Sequence, residues 1–165
     1  MSEQYVKANG VRLAYDSFGD KGNPPLILIM GLGTQMIAWP DELCKGLAQQ
    51  GFYIVRFDNR DIGLSHKFDG VKAPGPIKLT LLSKLGFKPK VPYDLGDMAD
   101  DGAGLMDALG IEHAHIVGAS MGGMIAQRFA ERHPDKTISL TSVFSTTGSS
   151  KVPPADREAI AALTK

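Results

Sequence analysis

Cysteine is almost absent from this sequence of 165 residues, since Cys44 is the single one. A lone thiol cannot form an internal disulfide, and no group of cysteines and histidines has the close spacing of a structural zinc site. We therefore expect no disulfide, no metal and a reducing, cytoplasmic location.

The sequence also lacks an excess of either charge and a long apolar run. Eighteen lysines and arginines balance eighteen aspartates and glutamates, so no net field attracts nucleic acid or an anionic membrane. The longest apolar run covers residues 26–30, far short of the roughly 20 residues that cross a bilayer. The N-terminus has no apolar stretch of the kind found in signal peptides. These absences predict a chain without a nucleic-acid or membrane partner.

The composition is typical of about one globular domain, because 43% of the residues are hydrophobic and 22% are charged. Short apolar runs that alternate with helical patterns predict buried parallel strands. An alternating segment around Asn9 and Gly10 predicts an antiparallel hairpin that precedes the parallel strands in the chain. We therefore expect an α/β fold with a doubly wound, mostly parallel sheet, formed by a hairpin over 5–18 and strands over 26–30, 53–57, 114–117 and 139–144.

A helix is predicted over 93–109, where apolar residues recur at helical spacing and Gly110 follows. We expect its acidic residues to lie largely on a solvated outer face and to bind no metal; they are Asp94, Asp97, Asp100, Asp101 and Asp107. Upstream, the lysines and prolines that dominate 66–92 predict an insertion or mobile segment.

Residues 118–122 read Gly-Ala-Ser-Met-Gly and fit the pattern G-x-S-x-G between a predicted strand and a predicted helix. In such a nucleophile elbow the serine has a strained backbone, and small residues two positions away let the strand and the helix approach each other. Gly118 and Gly122 are those small residues. We predict Ser120 as a nucleophile; the alternative is an ordinary Gly-Ser loop.

A serine nucleophile needs an oxyanion hole, which this architecture builds from two backbone N–H groups. Met121, directly after the serine, would supply the first. Leu32 would supply the second, because it follows a predicted buried strand and is flanked by Gly31 and Gly33.

A dinucleotide fingerprint is the competing interpretation of these two glycines, with Asp58 in the place of the ribose-binding acid. Met36 stands where the third glycine or alanine should be, and Trp39 and Pro40 would interrupt the helix that must hold the pyrophosphate. We therefore expect no dinucleotide and no other cofactor.

Taken together, the Met-Gly-Leu-Gly loop at 30–33, the segment Phe-Asp-Asn-Arg-Asp-Ile-Gly-Leu-Ser at 57–65 and the elbow resemble the ordered motifs of the α/β-hydrolase fold superfamily. The resemblance runs over about 5–148 and is greatest to esterases of the aclacinomycin methylesterase and cofactor-free haloperoxidase type. It implies that Ser120 attacks a small ester-like substrate to form an acyl-serine, with Met121 and Leu32 as oxyanion donors. It also implies a structural role for the turn 58–65, braced by Asp58 and Arg60.

One departure from the family is Met30, because the family commonly has histidine there. We expect this change to tune the oxyanion hole, since the donors are backbone groups.

The triad acid and histidine of this fold follow the serine in the chain. The only histidine after Ser120 is His133, which a helix would place roughly 20 Å away. His115 would lie about 16 Å away on the preceding strand. His66 alone is expected at the correct edge of the sheet, although a surface-loop histidine is the favoured interpretation.

The chain is therefore predicted to be the N-terminal portion of a hydrolase core over 1–148, with the start of a cap over 149–165. A truncated gene is the favoured origin; an excised fragment, half of a split enzyme and a degenerate paralogue are the others.

We expect the chain alone to be weak or inactive as an esterase. A non-catalytic small-molecule binding module and a split hydrolase that needs a partner chain are the alternatives. The strand at 139–144 would have an unpaired edge, open to self-association or to a C-terminal half.

Overall fold

The computed structural model describes residues 4–70, 91–149, 151–153, 156 and 158. Within them, six strands form one sheet in the order β1-β2-β4-β3-β5-β6. Their bounds are Gln4–Ala8 (β1), Val11–Phe18 (β2), Pro25–Ile29 (β3), Tyr53–Phe57 (β4), Ala114–Ala119 (β5) and Thr137–Val143 (β6). The α-helices described in full are Asp41–Gln49 (α1), Leu95–Leu109 (α2) and Met121–Arg132 (α3).

The first two strands form the predicted antiparallel hairpin, in which Ala8 pairs with Val11. Asn9 and Gly10 connect them with φ angles of 46° and 80°. Positive φ at both central residues is what a tight hairpin turn of matching twist requires, and Asn-Gly tolerates it best. β2 then pairs antiparallel with β4 and joins the hairpin to the parallel part of the sheet.

β4, β3, β5 and β6 are mutually parallel, and helices cover both faces of their central strands. Leu26 and Leu28 point to the face that α1 covers. Ile27 and Ile29 point to the opposite face, into the main core that α2 and α3 complete. The continuous apolar run of β3 thus results from burial on both sides, and the expected doubly wound α/β sheet is confirmed.

α2 starts at Leu95, two residues after the predicted start. Asp94 caps it, accepting hydrogen bonds from the backbone N–H groups of Gly96 and Asp97, while the Asp97 carboxylate accepts from the Asp94 N–H. At the other end Gly110 adopts a left-handed conformation with φ 72°, where glycine avoids the penalty of a Cβ atom.

Asp101 departs from the expectation that the aspartates of this region lie largely on a solvated face. Only 1% of Asp101 is exposed, and its carboxylate accepts two hydrogen bonds of 2.6 Å from Arg60. Asn9 donates a third hydrogen bond of 3.0 Å. A buried charge is tolerated when it is paired and hydrogen-bonded in this way, and the partner lies 41 positions away in the chain.

β6 is the last described strand and pairs with β5 on one side only, as far as the described residues extend. Ile138 and Leu140 on it are 52% and 40% exposed. Phe144, predicted as the end of the strand, lies just outside it with φ 50° and 94% exposure.

Of the predicted insertion, residues 71–90 lie outside the described part of the chain, and so does most of 149–165. Among the described helices, none is both long and apolar enough to cross a lipid bilayer.

Candidate active site

The carboxyl ends of β3, β4 and β5 lie side by side, because the three strands are parallel neighbours. Three loops therefore meet at one edge of the sheet: the loop after β3, the turn after β4 and the elbow after β5. A Cβ atom on Gly31 would lie 3.0 Å from the Ser120 Cβ. The loop after β3 and the elbow are thus in direct contact, at the position where α/β proteins bind ligands.

Ser120 occupies the turn between β5 and α3, as its motif predicts. Its φ and ψ are 56° and −123°, a combination that non-glycine residues rarely adopt and that is typical of residues under functional constraint. The Ser120 N–H donates to the Val143 carbonyl at 2.9 Å, and its own carbonyl accepts from the Gly123 N–H at 3.0 Å. These bonds hold the serine at the tip of the turn.

The glycines of the elbow allow this close approach of strand and helix. A Cβ atom on Gly118 would lie 2.1 Å from the Gly122 carbonyl oxygen, and one on Gly122 would lie 2.2 Å from the Ile29 carbonyl oxygen. Contacts this short are impossible for a real side chain. The packing of α3 against β5 and β3 thus requires glycine at both positions.

Leu32 lies in the loop after β3, next to the elbow, with 76% of its surface exposed. Gly33 gives this loop its bend with φ 67°. A short 3-10 turn follows at Met36–Ala38, and α1 begins only at Asp41. Because no helix starts directly after the two glycines, the phosphate-binding geometry of a dinucleotide fingerprint is not formed.

Asp58 is likewise not arranged for a ribose. It is 2% exposed, and its two carboxylate oxygens accept from the backbone N–H groups of Met36 at 2.7 Å and Leu64 at 2.9 Å. Gly63 must be glycine beside it, since a Cβ atom there would lie 2.0 Å from an Asp58 oxygen. The carboxylate therefore ties the turn after β4 to the loop after β3.

Two further side chains of this turn hold the site together. Asn59 donates to the Met30 carbonyl at 2.8 Å, directly before the Gly-Leu-Gly segment. The Ser65 hydroxyl donates to the Asp58 carbonyl at 2.6 Å and accepts from the Ala14 N–H at 2.9 Å. The role of Asn59 was not predicted from the sequence; its position directly after a buried strand is the only local signal for it.

Arg60 and Asp101 form a buried ion pair beneath the site. Burial by itself would lower the pKa of Arg60, but the hydrogen bonds and charge of Asp101 outweigh it and raise that pKa. The rings of Phe68 and Tyr93 lie over the guanidinium, with centroids 5.5 and 5.0 Å from its central carbon. Burial and a hydrogen bond of 2.6 Å to Asp61 raise the pKa of Tyr93 to about 12.

A mostly apolar cleft of about 290 Å³ opens beside the elbow. Both residues predicted as oxyanion donors line it, together with Arg60 and with side chains from the turn after β4 and the start of α2. The apolar and aromatic lining residues are Leu32, Ile62, Tyr93, Leu95, Met98 and Met121.

All four histidines of the sequence are described, and each is engaged away from Ser120. The ring of His133 bonds Asp100 at 2.8 Å, and that of His115 bonds the Ser139 hydroxyl at 2.8 Å. His113 contacts a backbone carbonyl at 2.7 Å. Within the described residues, no side chain hydrogen-bonds the Ser120 hydroxyl.

His66 lies at the expected edge of the sheet, but beside β2 and not beside β5, which leads to Ser120. Its backbone N–H donates to the Arg12 carbonyl on β2, and β4 and β3 separate β2 from the strand that carries Ser120. Three strand spacings of about 4.8 Å place it roughly 14 Å away laterally, beyond hydrogen-bond reach. The structure thus brings Ser120, Met121 and Leu32 together and leaves His66 apart.

A mostly parallel sheet in which one strand leads through a strained serine turn into a helix has the architecture of a nucleophile elbow. A family model described as the alpha/beta hydrolase fold matches residues 24–164. The chain belongs to this family.

Relatives and solved structures agree with this assignment. The chain is 30% identical to rhodomycin D methylesterase of Streptomyces sp. strain C5 over 141 residues, which cover 86% of the chain and 41% of that enzyme. It is 27% identical to epoxide hydrolase B of Mycobacterium tuberculosis, over 78% of the chain and 30% of that protein. The crystal structure of an enol-lactonase from Burkholderia xenovorans superposes with a TM-score of 0.62 at 29% identity, over 81% of this chain and 44% of that one. The chain thus spans less than half of the length of each of these three proteins.

Proposed function

We propose that this chain carries the nucleophilic half of a serine esterase active site. The observation that supports it most directly is the strained backbone of Ser120 at the strand-to-helix turn, next to the loop that holds Leu32. The similarity to a methylesterase over 86% of the chain favours an ester as substrate.

The proposed reaction proceeds in two steps. The Ser120 oxygen bonds to the ester carbonyl carbon, and the carbonyl oxygen becomes an oxyanion held by the N–H groups of Met121 and Leu32. A base takes the serine proton and passes it to the departing alcohol as the ester C–O bond breaks. Water then hydrolyses the acyl-serine, which releases the carboxylic acid and restores the hydroxyl.

The base in this proposal comes from the rest of the hydrolase fold, since all four histidines of the chain are engaged elsewhere. Oxyanion stabilisation and substrate binding without a triad leave a residual acceleration of roughly 10³ to 10⁴ over water in serine proteases. We therefore expect the 165-residue chain to hydrolyse esters weakly or not at all by itself.

A non-catalytic binding module is the second candidate, and one observation favours it. The Ser120 hydroxyl has no hydrogen-bond partner among the described residues, while a mostly apolar cleft of about 290 Å³ lies beside it. Such a module would bind a small ester-like molecule in the cleft without turning it over.

One experiment separates these candidates. The chain is treated with a fluorophosphonate probe and assayed on short p-nitrophenyl esters, alone and mixed with the separately expressed C-terminal half of a related esterase. We expect labelling and turnover in the mixture that Ser120→Ala abolishes and Ser149→Ala, on an exposed loop serine, leaves unchanged. Ligand binding without labelling in either sample would favour the binding module.

We also propose that the open edge of β6 accepts the next strand of the hydrolase fold. β6 itself lies beside the elbow, because the Val143 carbonyl accepts from the Ser120 N–H, and the open edge is the side of β6 that faces away from β5. A strand added there would end at the same edge of the sheet and could carry a triad residue. Light scattering should show a complex of the two halves at one-to-one stoichiometry. A stable dimer of this chain that does not bind the C-terminal half would show that a second copy covers the edge.

A further inference from the structure

The cleft beside the elbow contains one cationic side chain in a mostly apolar wall, to which Asp94 also belongs. Arg60 lines it together with Leu32 and Met121, although only 5% of Arg60 is exposed. A buried arginine at the wall of an apolar cleft provides a directional contact, because apolar surface alone fixes neither the orientation nor the polarity of a ligand.

One of the three guanidinium nitrogens of Arg60 has no partner in the part of the chain that the structure describes. Its Nε and Nη2 donate to Asp101, and Nη2 also approaches the Asp97 carbonyl at 3.4 Å. Nη1 donates to none of the residues that the structure describes. The ion pair and the flanking rings of Phe68 and Tyr93 fix the guanidinium plane. Nη1 is thus a preorganised donor, and a ligand that uses it orders no additional side chain.

The charges around the cleft favour a neutral acceptor over an anion. Asp101 already balances the charge of Arg60 at 2.6 Å. Asp94 lines the same cleft, and the Asp61 carboxylate accepts from the Tyr93 hydroxyl. A ligand carboxylate would meet these two acids, whereas an ether, hydroxyl or ketone oxygen could accept from Nη1 without adding charge.

We infer that the cleft binds an apolar ring that carries a neutral oxygen acceptor, as one part of the ester that Ser120 attacks. The volume of about 290 Å³ is at the lower end of small-molecule pockets and suits one substituted ring. The identity of the ligand as an ester rests on the proposed function, but binding in the cleft does not need the Ser120 hydroxyl.

The test measures binding to the 165-residue chain by NMR of labelled methionine methyl groups. Met98 and Met121 line the cleft, and Met106 in the core is the internal control. The probes are para-methoxyacetophenone, para-ethylacetophenone and para-acetylbenzoate. The first two have nearly the same shape and differ in one oxygen, and the third adds a carboxylate.

We expect the methoxy probe to shift Met98 and Met121 but not Met106, with a dissociation constant about tenfold lower than that of the ethyl probe. The carboxylate should bind more weakly than the methoxy probe. Leu95→Trp fills the cleft and should abolish the shifts, whereas Leu43→Trp on exposed α1 should leave them intact. A preference for the ethyl probe or for the carboxylate would overturn the inference, as would shifts that survive Leu95→Trp.

Failure of this inference is distinguishable from failure of the proposed esterase. Ser120→Ala should keep the methoxy preference, because the contact is made by Arg60. No fluorophosphonate labelling in the mixture with the C-terminal half, together with normal probe binding to the chain, would refute the esterase alone. Normal Ser120 labelling in that mixture, without a preference of the chain for the methoxy probe, would refute the acceptor contact alone.

Discussion

Replacement of Asp101 by alanine should destabilise the fold more than any other single change to an acidic residue of α2. The variant leaves the Arg60 guanidinium buried without its partner and removes the acceptor of the Asn9 amide. Breaking a buried ion pair from one side costs about 3–5 kcal/mol, a large part of the 5–15 kcal/mol that stabilises an ordinary domain. With a urea m value of about 2 kcal/mol per molar, the unfolding midpoint should fall by roughly 2 M.

Asp107→Ala is the matched control on the same helix. Asp107 also pairs with a cation, Lys136, but its side chain is 64% exposed, so the change should cost less than about 1 kcal/mol. Urea unfolding followed by the fluorescence of Trp39 measures both variants. Equal midpoints for the two alanine variants would refute the argument. The double variant Arg60→Met with Asp101→Leu should recover much of the loss, since no lone charge remains buried.

Three further predictions concern the elbow, the end of β6 and the surface. Gly122→Ala should yield an unfolded or aggregated chain by circular dichroism, because its Cβ would lie 2.2 Å from the Ile29 carbonyl oxygen. The control Gly46→Ala has open space at that position and should raise the free energy of unfolding by about 0.5–1 kcal/mol. Phe144→Gly should raise the urea midpoint, since the residue has φ 50° and a non-glycine residue there costs about 1–2 kcal/mol; an unchanged or lower midpoint would contradict the assigned strain. The hydrogen bond from Arg132 lowers the pKa of Asp100, so the stability it adds is present above the unfolded pKa of about 3.9 and is lost as pH falls through the folded value. Asp100→Asn should therefore lower the urea midpoint at pH 7 but not at a pH below both values, and an equal loss at both would exclude this linkage.

The fold and the elbow were predictable because their signals are local. The continuous apolar run of β3 indicates burial on both faces, and Asn9 with Gly10 indicates the hairpin turn. The spacing of Gly118 and Gly122 around Ser120 reports a turn in which strand and helix touch, and the backbone of Ser120 has the strained geometry that this spacing implies. The roles of Ser120, Met121 and Leu32 in catalysis stay predictions.

The burial of Asp101 was not predictable from its helix, because aspartates on several sides of α2 look alike in the sequence. Asp101 differs from the other aspartates because Arg60, in the turn after β4, donates hydrogen bonds to its carboxylate. The same holds for Asn59, whose amide reaches the Met30 carbonyl across the sheet edge. His66 was placed at the correct edge, but only the strand order shows that two strands lie between it and the strand of Ser120.

The sequence by itself therefore determined the strands, the turns that join them and the strained turn at Ser120, since each depends on backbone preferences and burial within a few consecutive residues. The tertiary structure decided which distant residues meet: Arg60 with Asp101, Asn59 with Met30, and the cleft between the loop after β3, the turn after β4 and α2. The physical reason is that these contacts join groups about 30 to 40 positions apart. The residues next to a charged or amide side chain in the sequence do not indicate which distant group will form its hydrogen bonds.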